Sequence, residues 1–329
     1  MATNIRRREL ISTLCGMAVV GPLVARAQQP RMPVIGSLFG ASAAEWADNM
    51  AGFRRGLAET DFVEGRNVVI EYRWAESPDQ MAAMAADFIS RKVAVIVTGG
   101  NIMGVRAVLA ATRIIPIVFT TALDPVAAGL VASLNRPGGN ATGVNFMGGT
   151  LMAKQLELMH EVLPGVTRIA ILLNPNNPVM SEDTLAGAQM AAARLGLEII
   201  VIKAASENEI AAAVASAVQQ GAAALFAEDA YFTARRERIA AVGLQYNLPT
   251  LGVPQAVAAG VLLGYGASIP DSYRQAGVYV GRILRGEKPG DLPVQQPTRF
   301  KLVINLKTAK ALGLTIPESF LLRADEVIE

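Results

Sequence analysis

The run Ile114-Ile115-Pro116-Ile117-Val118-Phe119, followed by Asp124-Pro125 and closed by Asn135-Arg136-Pro137-Gly138-Gly139-Asn140, decides the fold. A short β-branched run bounded by turn residues reads as a buried strand. Asp as an N-cap with Pro at the first helical position predicts a helix from there to Leu134. The Pro-Gly-Gly segment then breaks the chain. Strand, helix and break form a grammar that can be followed outward in both directions.

Toward the N-terminus it predicts strands at 34–38, 68–72 and 93–97, with helices at 42–59, 79–90 and 103–112 between them. In the first helix Trp46, Met50, Phe53 and Leu57 fall at helical spacing on one face. Beyond the break, strands are expected at 169–173, 198–202, 223–226 and 249–251, and helices at 151–163, 181–195, 207–219 and 233–246. Strands separated by helices of this length make right-handed βαβ units and parallel sheets covered on both faces. The fold class is therefore α/β, with two doubly wound parallel-sheet lobes. A strand at 261–266, a helix at 272–285, a loop at 286–293, a strand at 300–305 and a short helix at 306–312 remain. That is more than one lobe needs, and a chain that returns to its first lobe and crosses back again accounts for it.

Composition narrows the function. Of 329 residues 52% are hydrophobic and 18% charged, which excludes a disordered chain. One Cys and one His remove most zinc, iron–sulfur and Cys/His nucleophile chemistry. The formal net charge of +2 is far from the balance of a nucleic-acid binder.

The first residues explain even that excess. Arg6-Arg7-Arg8, an apolar run from Leu10 to Ala25, and Ala25-Arg26-Ala27 before Gln28-Gln29 have the form of a secretory signal peptide. The run is interrupted by Gly16, Gly21 and Pro22 and is too short for a membrane span. Arg7-Arg8-Glu9-Leu10-Ile11 loosely resembles a twin-arginine signal. Cleavage after residue 27 would leave 26 basic against 27 acidic residues, a net charge of −1, and no cysteine. The expected location is the periplasm.

Catalytic motifs are few. The Gly138–Gly143 cluster lacks the lysine of a phosphate-binding loop, and no G-x-G-x-x-G or G-x-S-x-G occurs where such chemistry needs it. His160 reads as a solvated residue near a helix end. Glu228-Asp229 follows a strand end, where ligands of α/β sheets bind, and reads equally as a cap or surface pair. Asp124 reads first as an N-cap, and Trp46 first as part of the helical stripe.

Several segments resemble the ABC-transporter substrate-binding proteins of the tryptophan/tyrosine-binding type. They are RRRELI…ARAQQ at the start, DFVEGRNVVIEYRWAE (61–76), IPIVF…DPVAAGLVASLNRPGGNATGV (115–144), RIAILLNPNNP (168–178), GVLLGYG (260–266) and LPVQQPTRFKLVINLKTAKALGLTIP (292–317). The resemblance implies a type I periplasmic-binding fold, two lobes joined by a three-strand hinge. Residues 31–146 with 256–293 would form the first lobe and 147–255 with 294–329 the second. The crossovers would fall near 145–149, 251–255 and 292–297. It also implies a monomeric solute-binding protein that delivers a small molecule to an ABC permease with its cytoplasmic ATPase, without a cofactor and without nucleic acid. An exported α/β enzyme using Glu228 and Asp229, or a ligand-sensing module for a membrane receptor, are the alternatives; neighbouring permease or sensor-kinase genes would separate them.

Ligands of such sheets sit at the carboxyl ends of strands. The expected contacts are therefore Ser37, Phe39, Ser42, Trp46, Gly99, Gly100, Asn101, Thr120, Thr121 and Asp124 on the first lobe. Asn174, Asn177, Glu228, Asp229 and Tyr231 face them on the second, with Tyr265 reaching in from the return strand. A ligand carboxylate would meet helix N-termini near Ser42, Asn101 and Asp124. An ammonium would meet Asp229 or Glu228, and Phe39, Trp46 and Tyr231 would cover an apolar side chain.

Overall fold

The computed structural model describes residues 32–329 except 41–42, 76–77, 101, 147 and 228. The expected signal segment, 1–27, lies outside the described residues. Elements in chain order begin with β1 (Val34–Gly40), α1 (Ala47–Ala58), β2 (Val69–Ala75), α2 (Pro78–Ser90), β3 (Val95–Gly99), α3 (Ile102–Ala111), β4 (Ile117–Thr121) and β5 (Ala141–Asn145). They continue with α4 (Gly148–Val162), β6 (Arg168–Leu173), α5 (Pro178–Leu195), β7 (Glu198–Lys203), α6 (Glu207–Gln219), β8 (Ala224–Phe226), α7 (Ala230–Ala234), α8 (Arg236–Gln245) and β9 (Thr250–Gly252). The last are β10 (Leu263–Gly266), α9 (Ile269–Leu284), β11 (Lys301–Asn305), α10 (Leu306–Ala311), α11 (Glu318–Leu321) and β12 (Glu326–Ile328).

Two sheets result. The first is all parallel, in the order β2-β1-β3-β4-β5. The second runs β12-β11-β10-β9-β8-β6-β7 and is parallel except where β11 pairs antiparallel with β10. Alternation along each strand sends successive side chains to opposite faces. In β3, Val95 and Val97 join the core under α1 and α9, and Ile96 joins the core under α2 and α3. In β6, Ile169, Ile171 and Leu173 pack toward α4 and α5, while Ala170 and Leu172 pack toward α6 and α8. Each sheet is thus covered on both faces, which is why its strands read as continuous apolar runs.

The contact that binds the tail to the first lobe is made of glycines. A Cβ at Gly52 would strike the carbonyl of Pro270, one at Gly56 the carbonyl of Arg274, and one at Gly277 the carbonyl of Phe53. With no side chains between them, α1 and α9 lie backbone to backbone. Tyr273, Ala276, Tyr279, Val280 and Ile283 of α9 then join the core of the first sheet.

Four expectations are corrected. The helix expected from Asp124 to Leu134 is a chain of turns. Asp124 Oδ1 accepts from Val126 and Ala127 N–H, but the chain reaches Gly129 at φ +70° and leaves the helical path. The helix at 233–246 is divided into α7 and α8 by Arg235, at φ −107° and ψ 31°. β5, which was not anticipated, closes the first sheet with the segment Ala-Thr-Gly-Val-Asn, all buried. Finally, the crossover expected near 251–255 comes later: β10 pairs with β9 and β11 inside the second sheet, and the chain leaves only between Gly266 and Ile269. The return after Gln295, which bridges Val144, brings it back to β11.

Candidate functional site

Between the two sheets lies a cavity of about 100 Å³. The carboxyl ends of β3, β4 and β10 open into it through Gly100, Thr120, Thr121 and Gly266. The remaining walls are largely apolar: Ile102 and Val105 of α3, Leu123, Phe146, Leu151 of α4, Met180 of α5, Val253, and Ile269 and Pro270 of α9.

Trp46 and Tyr273 form the aromatic wall of the first lobe. Trp46 occupies the N-cap position of α1, and its ring stands 5.3 Å from Tyr273 and 5.1 Å from Phe39, centroid to centroid. Gly100, at φ +86°, runs directly against the indole; a Cβ there would press on it. The Tyr273 hydroxyl shares a 2.9 Å hydrogen bond with Thr120 Oγ1, and complete burial pushes the phenol well above its ordinary pKa.

The second lobe contributes Asn177, the N-cap residue of α5 before Pro178. Its amide Nδ2 donates to Asp229 Oδ2 at 2.8 Å. Asn174 Nδ2 donates to Asp229 Oδ1 at 3.1 Å, and the Tyr231 backbone N–H to the same oxygen at 2.8 Å. Burial pushes the Asp229 carboxyl up from the ordinary carboxylate range, and these three donors oppose the rise without cancelling it.

Two ion pairs cross from lobe to lobe beside the cavity. Arg235 Nη1 lies 3.0 Å from Glu45 Oε1, and Arg236 Nη2 lies 3.8 Å from Asp48 Oδ2. Glu45, Asp48 and Arg236 themselves line the cavity.

Of the expected contacts, Trp46, Gly100, Thr120, Thr121 and Asn177 line this cavity. Ser42, Asn101 and Glu228 lie outside the described residues. The others stand behind the wall or away from it. Ser37 is buried in β1 with its hydroxyl 3.9 Å from Met50 Sδ, and Phe39 is a core ring behind Trp46 and Tyr273. Gly99 packs on Thr120, and Asp124 is spent on its turn. Asn174 and Asp229 form the hydrogen-bonded support of Asn177. Tyr231 lies under the Arg235 guanidinium, 3.7 Å from ring centroid to Cζ, and Tyr265 pairs with Phe300 at 6.1 Å. His160 is also absent from the lining. Of the three helix N-termini expected to meet an anion, Asp124 starts no helix, and α1 begins at Ala47 rather than 42.

The sequence reading missed Tyr273, Ile269 and Pro270, Arg236, Met180 and Phe146. The apolar stripe of α9 was visible, but it reads as ordinary core until the helix is placed on the first lobe.

Two covered α/β sheets, with a largely apolar cavity at their facing strand ends, define a two-lobed small-molecule-binding protein. No group of metal-ligating side chains occurs among the described residues, and no described helix is long and apolar enough to cross a membrane. Residues 42–328 match the family described as ABC transporter substrate binding protein, and the chain belongs to that family. It is a solute-binding protein of the type I periplasmic-binding fold.

Relatives agree. A tyrosine-binding protein of Clostridioides difficile is 26% identical over 265 residues, 80% of this chain and 76% of that one. A conserved domain protein from Vibrio cholerae superposes with a TM-score of 0.82 at 28% identity, covering 90% of this chain and all of the other. A Streptococcus pneumonia ABC domain in complex with L-Trp gives 0.80 at 26% identity, covering 90% and 99%.

Proposed function

We propose that this protein is exported to the periplasm by removal of residues 1–27, binds an amino acid with an aromatic or large apolar side chain, and delivers it as a monomer to an ABC permease. The observation that carries the ligand class is the cavity wall: apolar and aromatic side chains from both lobes around a few polar groups. Such a wall suits a small molecule with one large apolar part and a polar end. The L-Trp complex and the tyrosine-binding relative support the same class.

Delivery follows from closure. A ligand touching both lobes binds the closed arrangement better than the open one, and that difference in affinity shifts the population. A permease able to distinguish the two forms would then engage loaded protein selectively.

Thermal denaturation of the chain from Gln28 onward, with each of the common amino acids, tests the ligand class. An amino acid present at about 100 times its dissociation constant adds about 2.7 kcal/mol to stability. L-tryptophan or L-tyrosine should raise the midpoint and small polar amino acids should not. A stabilising response to sugars alone would remove the amino-acid reading.

A further inference from the structure

Among the described residues, two polar atoms belonging to the cavity wall have no hydrogen-bond partner: Trp46 Nε1 on the first lobe and Asn177 Oδ1 on the second. Both residues are more than nine-tenths buried, at 7% and 5% exposure. The large majority of buried side-chain donors and acceptors are paired in folded proteins. Two orphans on facing lobes of one cavity therefore point to a shared partner that enters it. Thr98 Oγ1 and His160 Nδ1 are also unpaired, but neither residue lines the cavity.

The chemistry of each orphan is fixed. An indole N–H can only donate, so its partner is an acceptor. The Asn177 amide is oriented by Asp229: Nδ2 is committed to the carboxylate, so Oδ1 is the atom left over and takes only a donor. The Asp229 carboxylate behind it favours a donor that is also cationic. On the other side, the two acids that line the cavity beside Trp46 are already paired, Glu45 with Arg235 and Asp48 with Arg236.

We infer that the ligand bridges the lobes, its carboxylate accepting from Trp46 Nε1 and its ammonium donating to Asn177 Oδ1, with Asp229 as the residue that positions Asn177. This rests on the amino-acid reading above and adds to it the atoms that read each end. Trp46 is then a hydrogen-bond donor as well as an aromatic wall, which its place in a helical stripe does not suggest. Neither lobe alone satisfies both ends, so closure completes recognition.

Calorimetric titration of the chain from Gln28 onward tests this with three ligands: L-tryptophan, indole-3-propionate without the ammonium, and tryptamine without the carboxylate. Trp46→Phe keeps a ring against Phe39 and Tyr273 and removes only the N–H. It should weaken L-tryptophan and indole-3-propionate about tenfold and leave tryptamine unchanged. Asn177→Ala should show the reverse pattern, with loss for L-tryptophan and tryptamine alone. Asn177→Ser replaces it if the alanine variant does not fold. Where an analogue binds the wild type too weakly to measure, the roughly tenfold loss on L-tryptophan decides. L-tryptophan affinity within twofold of wild type in either variant would overturn the assignment alone, and so would equal losses on all three ligands. A wild type that binds no amino acid with an aromatic or large apolar side chain would overturn the amino-acid reading and the assignment together.

Discussion

Thr120 Oγ1 and the Tyr273 hydroxyl are 2.9 Å apart although 153 positions separate them in the chain. The bond ties the end of β4 to the second turn of α9, so the aromatic wall of the cavity is held by the helix that returns from the second lobe. Tyr273→Phe keeps the ring and leaves Thr120, which is 1% exposed, without this partner. Chemical denaturation should show a loss of about 1–2 kcal/mol, with the fold retained.

Asp229 gives stability and affinity opposite pH dependences. Its folded pKa is raised by burial, so its contribution to stability is complete below the unfolded value and is lost as pH rises through the folded one. Affinity for an ammonium runs the other way, because acid removes the carboxylate that orients Asn177 and attracts the cation. Amino-acid affinity should therefore fall as pH is lowered through the raised folded value of that carboxyl. Asp229→Asn should weaken binding by about 1.5–3 kcal/mol and flatten that slope. An unaltered slope in the variant would assign it to another group.

The interlobe ion pairs should make closure sensitive to salt. Arg235 and Glu45 have side chains 21% and 18% exposed, so screening reaches them without abolishing the pair. Arg235→Gln should open the unliganded protein, measurable as a larger radius of gyration in small-angle scattering. A Glu45/Arg235 double-mutant cycle on ligand affinity should return a coupling of about 0.5–1 kcal/mol.

Gly56 offers a test of the fold independent of ligand. Gly56→Ala places a methyl group against the Arg274 carbonyl, where only backbone movement makes room. Overpacking of this kind costs about 1–3 kcal/mol or more, against about 1 kcal/mol gained from better helix propensity, so a net loss is expected. The same substitution at Gly165, where a Cβ meets nothing within 4 Å, should cost far less on the same denaturation curve.

Most of the architecture was legible because strands buried on both faces leave unbroken apolar runs, and 169–173 is of that kind. β5 was illegible for a physical reason: Gly143 must be bare to let Phe119 approach, and the resulting Ala-Thr-Gly-Val-Asn has no hydrophobic signature. The false helix after Asp124 shows the limit of a good start signal, since one positive-φ glycine outweighs it. At the site, Thr120 and Asn177 were readable from their positions after strands. Tyr273 was not, because its role depends on which lobe α9 joins, and pairing over such separations leaves no local mark. Asp229 was read as a contact and stands one residue further back, where it sets the orientation of Asn177.

The glycine contact between α1 and α9 also dictates an order of events. The pairing of Glu59 with Arg274 spans 215 residues, and the core beneath α1 is unfinished until α9 arrives. Contacts so distant in sequence form only after a long loop has closed, which slows their appearance. Neither lobe is therefore finished until the tail is available: α9 completes the first and β11 and β12 the second, and a chain shorter than about 284 residues lacks the α9 side of the α1 contact.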